Sequence, residues 1–285
     1  MVYPSKFVDL QTISPKKILM SVQFQNTELP DIIDLKNISQ SYDGGKTHII
    51  KDFGLLIEDK PEKGQMVILL GPSGCGKSTI LRYVAGLQKP TTGEVYLYGK
   101  KREESDRIGM IFQQYSSFPW LTVLENVALG LKFKGVPEKE RNERAMEMIK
   151  IVGLDGHQKK FAKYPTLSGG QLQRVAIARS LLVNDKILLM DEPFGALDTK
   201  TRLRMQDFLL ELWYRIHPTI ILVTHDLSEA VYLGDDVYIM SNAPANLYEH
   251  IPIDLPFPRN REVKRSKHFV DLMYYIEDKM LQLEN

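Results

Sequence analysis

Residues 66–78 read Met66-Val67-Ile68-Leu69-Leu70-Gly71-Pro72-Ser73-Gly74-Cys75-Gly76-Lys77-Ser78, with Thr79-Ile80-Leu81-Arg82-Tyr83-Val84 following. An apolar run entering a glycine-rich turn and then a helical stretch predicts strand, loop and helix in that order. The loop is G-x-x-x-x-G-K-S. Glycines let successive backbone N–H groups turn inward into an anion-binding nest. The helix behind the loop adds the positive end of its dipole. In such a loop Lys77 reaches the β- and γ-phosphates of a nucleotide and Ser78 ligates Mg2+. Its fixed positions arise by chance in roughly one chain in a hundred of this length. Cys75 admits two readings, a thiol activated by the helix N-terminus or a small residue that fills space.

The chain around this loop has 285 residues, 43% hydrophobic and 26% charged, with 37 basic and 36 acidic side chains. Those proportions predict a globular protein with one large domain, or a domain carrying a sizeable insertion. A formal charge of +1 argues against a nucleic-acid partner, since backbone contacts demand a basic excess. The single cysteine precludes an intramolecular disulfide and predicts a reducing compartment. Met1-Val2-Tyr3-Pro4-Ser5-Lys6 lacks the apolar stretch of a secretory signal. The longest apolar runs are about five residues, against the roughly 20 that a bilayer span requires. Location in the cytosol is therefore expected.

Further apolar segments at Arg107–Phe112, Lys186–Met190, Thr219–Thr224 and Asp236–Met240 alternate with helical stretches. That alternation predicts an α/β fold built on a mostly parallel sheet covered on both faces. Residues 32–63 and Glu94–Tyr98 predict an antiparallel β layer beside it. Residues 123–155 are helical, with Ala145, Met148, Ile149 and Val152 on one stripe and Arg141, Arg144, Glu147 and Lys150 opposite. This block reads as an inserted helical subdomain of about residues 114–180. Residues 1–30 form an N-terminal extension, 31–255 the main domain and 256–285 a C-terminal tail. In that tail Phe269, Leu272, Met273, Ile276, Met280 and Leu283 recur at helical spacing, for packing back on the domain or for a partner. Arg259, Arg261, Lys264, Arg265 and Lys267 form a basic cluster, read as a solvated face or as a contact for anionic lipid headgroups.

Two further stretches carry chemistry. The strand at 186–190 ends in Asp191-Glu192, which divides the work of a phosphate site. Asp191 would hold the metal's shell, and Glu192 would polarise the attacking water as general base. Leu167-Ser168-Gly169-Gly170-Gln171 opens a helix that Ser168 caps. The Ser168 hydroxyl and the Gly170 amide there can bind an anion.

Taken together with Tyr42, Gln113, Ala196-Leu197-Asp198 and His225, these motifs resemble the ATPase subunit of ABC transporters over roughly residues 32–260. Pro119–Val127 and Asp254–Arg259 are similar to the branch importing nitrate, sulfonates and taurine. The resemblance implies a P-loop NTPase core, Mg2+ and ATP hydrolysis, driving uptake of a small anion such as nitrate, sulfonate, taurine or bicarbonate. It implies that Tyr42 stacks on adenine and that Gly71, Pro72, Ser73, Gly74, Cys75, Gly76, Lys77, Ser78 and Thr79 enclose the phosphates. Gln113 would meet Mg2+, together with Ser78 and Asp191, and the attacking water. His225 would bond the γ-phosphate, and Asp198 would stand at a dimer interface. Each ATP would lie between the phosphate loop of one subunit and Ser168, Gly169, Gly170 and Gln171 of a second. Transmembrane permease subunits would dock near Gln113–Leu121, placing the chain on the cytoplasmic face of the membrane. A periplasmic or lipid-anchored solute-binding protein would act indirectly. The alternative within the family is an ATPase that regulates a membrane machine without moving a solute.

Overall fold

The computed structural model describes residues 31–60, 64–114, 116–184 and 186–283. The N-terminal extension, residues 1–30, lies outside the described residues.

Strands β1 (Ile33–Ser41), β2 (His48–Ile57), β4 (Thr92–Leu97) and β5 (Lys100–Lys101) form an antiparallel sheet in the order β2-β1-β4-β5. The second sheet has the order β10-β9-β3-β8-β7-β6. It comprises β3 (Gln65–Leu70), β6 (Met110–Ile111), β7 (Ile187–Asp191), β8 (Thr219–Val223), β9 (Asp236–Met240) and β10 (Leu247–Pro252). All its pairings are parallel except β9 with β10. Successive strand residues point to opposite faces, and here both faces are dry. Met66, Ile68 and Leu70 enter one core with Leu188, Met190, Ile220 and Leu222. Val67 and Leu69 enter the other with Ile187, Leu189, Ile221 and Val223. A strand buried on both sides must be apolar throughout, which is why these runs show no polar alternation.

The helices are α1 (Lys77–Ala85), α2 (Val123–Phe133), α3 (Glu138–Ile151), α4 (Gly169–Val183), α5 (Thr199–Ile216), α6 (Leu227–Leu233) and α7 (Lys267–Gln282). Ala145, Met148, Ile149 and Val152 all lie in the first core with Val123, Val127 and Val175, so the stripe does pack α3 against α2 and α4. Thr122 and Glu125 close a capping box at the start of α2: the Thr122 hydroxyl accepts from the Glu125 N–H at 3.2 Å, and the Glu125 carboxylate accepts from the Thr122 N–H at 2.7 Å.

Two expectations need correction. The strand over Arg107–Phe112 shrinks to Met110–Ile111, because its first residues bind the end of α1. The Ile108 N–H donates to the Ala85 carbonyl and Arg107 Nη1 to the Gly86 carbonyl. The basic cluster divides: Arg261, Arg265 and Lys267 stay exposed, as a solvated face predicts, whereas Arg259 is buried and Lys264 half-buried. The Arg259 side chain is fully buried and donates to the Tyr232 and Gly234 carbonyls and to Asp235 Oδ1 at 3.3 Å. Its guanidinium also covers the Phe257 ring at 4.2 Å. Lys264 turns inward to Gln206, Arg261 binds Asp207 from an exposed position, and Arg265 and Lys267 bind Glu262 and Asp271 beside them. A buried charge is retained only where partners replace its water, and Asp235 and the carbonyls before it supply them. Helix α7 packs back, with Phe269 and Ile276 buried and Leu272, Met273, Met280 and Leu283 against the first core.

Tyr83 of α1 is fully buried beneath the antiparallel sheet and donates to Gln40 Oε1 of β1. Tyr83→Phe leaves that buried acceptor without its donor, at about 1–3 kcal/mol. The thermal midpoint is expected to fall by several degrees, read by calorimetry.

Candidate active site

Strand register decides what meets at one end of the large sheet. Asp191 is paired with Val223 of β8, and Val223 with Leu69 of β3. The residues that follow each strand therefore emerge side by side: the loop at 71–76, Glu192 and His225. β3 lies at the centre of the order, with chain crossing to either side, the place where α/β sheets open a crevice beyond their carboxyl ends.

Gly71, Gly74 and Gly76 carry φ of 151°, 79° and 108°. Gly76 is the N-cap of α1, where a Cβ would come within 2.9 Å of Ile50. The loop's left-handed turns and its approach to β2 thus both require glycine. Lys77 is buried, and its ammonium donates to the Gly71 and Pro72 carbonyls, each at 2.8 Å. Cys75 is buried beneath the loop, and burial pushes its thiol up. That environment fits space filling and opposes the reactive-thiol reading.

Ser78 Oγ donates to Asp191 Oδ1 at 2.9 Å. Burial pushes the Asp191 carboxyl above its ordinary value, opposed by that Ser78 bond. A hydroxyl and a carboxylate side by side are the hard oxygen donors that Mg2+ prefers, and phosphate and water oxygens would complete its shell. Among the described residues no cluster of three or more His, Cys, Asp or Glu side chains competes as a metal site.

Beside this pair, Gln113, Glu192 and His225 line one cleft with Arg202, Asp226 and Glu229. His225 Nδ1 stands 3.4 Å from Glu192 Oε2. Glu192 has φ of 47°, a left-handed conformation that costs a non-glycine residue on the order of 1–2 kcal/mol. Two bonds hold it there: its N–H donates to the Val223 carbonyl at 2.9 Å, and its carbonyl accepts from the Gly195 N–H at 3.1 Å. The carboxylate lies against His225 in the cleft.

Ser168 caps α4. Its Oγ accepts from the Gln171 N–H at 3.3 Å, and Gln171 Oε1 accepts from the Ser168 N–H at 2.9 Å. Ser168 is exposed, Gly170 is buried against Thr201 and Met205, and none of 168–171 lines the cleft of Glu192. Asp198 caps α5 from an exposed position and is held below its usual carboxylate range by the Thr201 hydrogen bonds. Tyr42 is 64% exposed and its hydroxyl accepts from Gln88. Sequence reasoning missed Arg202 and Glu229. The only signal was Glu229 three residues after Asp226, where the Glu229 N–H donates to Asp226 Oδ1 as a helix cap.

Residues 58–195 match the ABC transporter family. The nitrate import ATP-binding protein NrtD of Synechocystis sp. is 45% identical over 216 residues, covering 73% of this chain and 80% of that one.

The chain belongs to the ABC transporter ATPases.

The aliphatic sulfonates import ATP-binding protein SsuB of Bacillus cereus is likewise 45% identical over 212 residues, covering 74% of this chain and 81% of the other. Among solved structures, the ABC cassette MJ0796, described as a dimer bound to ADP and Pi after hydrolysis, superposes with a TM-score of 0.64. It is 35% identical and covers 79% of this chain and all of that one. The ABC ATPase fold is thus shown, with ATP as the nucleotide of the family. Among the described residues no helix is long and apolar enough to cross a membrane.

Proposed function

We propose that this ABC ATPase is the energy-supplying subunit of an importer for a small anion of the nitrate, sulfonate, taurine or bicarbonate kind. One observation carries the mechanism: Gln113, Glu192 and His225 share a cleft beside Lys77, Ser78 and Asp191, while Ser168 stands exposed outside it. A site that needs the 168–171 segment must therefore take it from a second copy or a close paralogue.

In this reading Lys77 exchanges the Gly71 and Pro72 carbonyls for β- and γ-phosphate oxygens. The backbone N–H groups of Gly71, Ser73, Gly74, Cys75, Gly76 and Thr79 complete the cradle, Pro72 shapes its turn without donating, and Tyr42 stacks on adenine. Ser78, Asp191 and Gln113 would hold a Mg2+ ion, which would supply charge neutralisation at the phosphate oxygens. Glu192 takes a proton from water as its oxygen bonds to the γ-phosphorus and the bond to the ADP oxygen breaks. His225 holds the γ-phosphate and orients Glu192. From the partner subunit, the 168–171 segment closes over the nucleotide, with Asp198 at the interface.

The permease surface is assigned to Phe118–Leu121. Buried Asn126 accepts from the Phe118 N–H at 2.8 Å and donates to the Phe118, Leu121 and Thr122 carbonyls. Phe118 and Trp120 are so held with ring centroids 5.4 Å apart, and Trp120 is 67% exposed. A rigid exposed aromatic pair suits docking of an apolar helix, which would bring this chain to the cytoplasmic face of a membrane.

Co-purification with its permease, reconstitution into vesicles and measurement of nitrate or alkanesulfonate uptake test the proposal. Uptake that requires ATP is expected. ATP hydrolysis without uptake of any such anion would favour a regulatory ATPase.

A further inference from the structure

The C-terminal 3-10 turn at Arg261–Arg265 is joined to the catalytic cleft by a chain of buried polar groups. Lys264 Nζ donates to Gln206 Oε1 of α5 at 3.0 Å, and Gln206 Nε2 donates to Glu229 Oε1 of α6 at 3.0 Å. Gln206 and Glu229 are both almost fully buried. Glu229 and Thr224 line the same cleft. Thr224 Oγ1 accepts from the Asp226 N–H at 3.1 Å, and Asp226 Oδ1 accepts from the Glu229 N–H at 2.9 Å. His225 lies between Thr224 and Asp226, in a turn closed by their bond and fastened to Glu229 through Asp226.

The amide of Gln206 can point only one way. An ammonium only donates and a carboxylate only accepts, so Oε1 must face Lys264 and Nε2 must face Glu229. The chain therefore has a fixed polarity that begins at the Lys264 charge. Burial pushes the Lys264 ammonium below its ordinary value, Asp226, Asp207 and Glu229 oppose that shift, and the ammonium covers the Tyr232 ring at 4.2 Å. Arg261 anchors the turn beside it on Asp207, which also accepts from the Tyr232 hydroxyl at 2.9 Å.

We propose that Lys264 is a positioning residue for ATP hydrolysis, acting through Gln206 and Glu229 to hold the His225 loop in its working geometry. The tail after β10 is then part of the engine rather than an appendage. The proposal rests on the role given above to His225.

The test uses the full-length protein. Lys264→Met keeps the aliphatic stem on Tyr232 and removes the donor. It is expected to lower kcat roughly tenfold, the share of one charge-assisted hydrogen bond, while KM for ATP stays within about twofold because the phosphate loop is untouched. Lys264→Arg restores most of the loss. Gln206→Leu breaks the same chain, so Lys264→Met/Gln206→Leu should be no slower than the worse single variant. Independently of hydrolysis, the Thr224, His225 and Asp226 amide resonances of the nucleotide-free protein should move in Lys264→Met and return in Lys264→Arg. Unmoved resonances, an unchanged kcat, or a double variant that loses the product of the two single losses would each overturn the proposal. A wild-type protein without ATP turnover, but with the resonance shifts intact, would count against the role of His225 and not against the brace.

Discussion

Glu192→Gln is expected to lower ATP turnover by about 10²–10⁴-fold, the span that a positioned general base supplies, with ATP binding preserved. The substitution keeps shape and removes only the ability to take a proton. Its backbone position should survive, since the bonds to Val223 and Gly195 that hold φ at 47° use main-chain atoms. The His225 contact at 3.4 Å loses its charge but not its neighbour. With hydrolysis stopped and ATP still bound, the closed pair should persist. Size-exclusion chromatography in Mg-ATP is expected to show twice the apparent mass, which ADP should not produce. A monomer with full ATPase activity would overturn both the base and the shared site.

The second large effect is at the other half of that site. Ser168→Arg should abolish measurable turnover while leaving nucleotide affinity near the wild-type value. Ser168 is exposed at the start of α4 and lies outside the cleft of its own chain. Losing the cap costs the helix about 1 kcal/mol, too little to unfold a domain with two cores. A guanidinium in place of a small hydroxyl blocks the approach of a partner subunit instead. Fluorescent-nucleotide titration and phosphate release, measured on one preparation, separate the two quantities. Equal loss of both would contradict a site completed in trans.

The loop at 71–78 was legible because its chemistry is local. Each glycine serves a backbone angle, and Lys77 and Ser78 follow the strand directly. The same holds for the Ser168 and Gln171 capping box, which closes within one helical turn. Arg107–Phe112 was misread because its apolar content matches a strand, whereas its first residues bind the end of α1. Arg259 was misread for the complementary reason. A basic residue among basic residues looks solvated until Asp235, far away in sequence, is found against it.

By itself the amino-acid sequence determined the phosphate loop, the order of its motifs and the two-faced burial of the central strands, since each depends on residues within a few positions of one another. Tertiary structure alone decided which groups share a cleft. β-strand register brought Glu192 and His225 to 3.4 Å and left Ser168 outside. It also turned Lys264 from a surface charge into the end of a buried polar chain, because a charge withdrawn from water goes wherever the fold offers it partners.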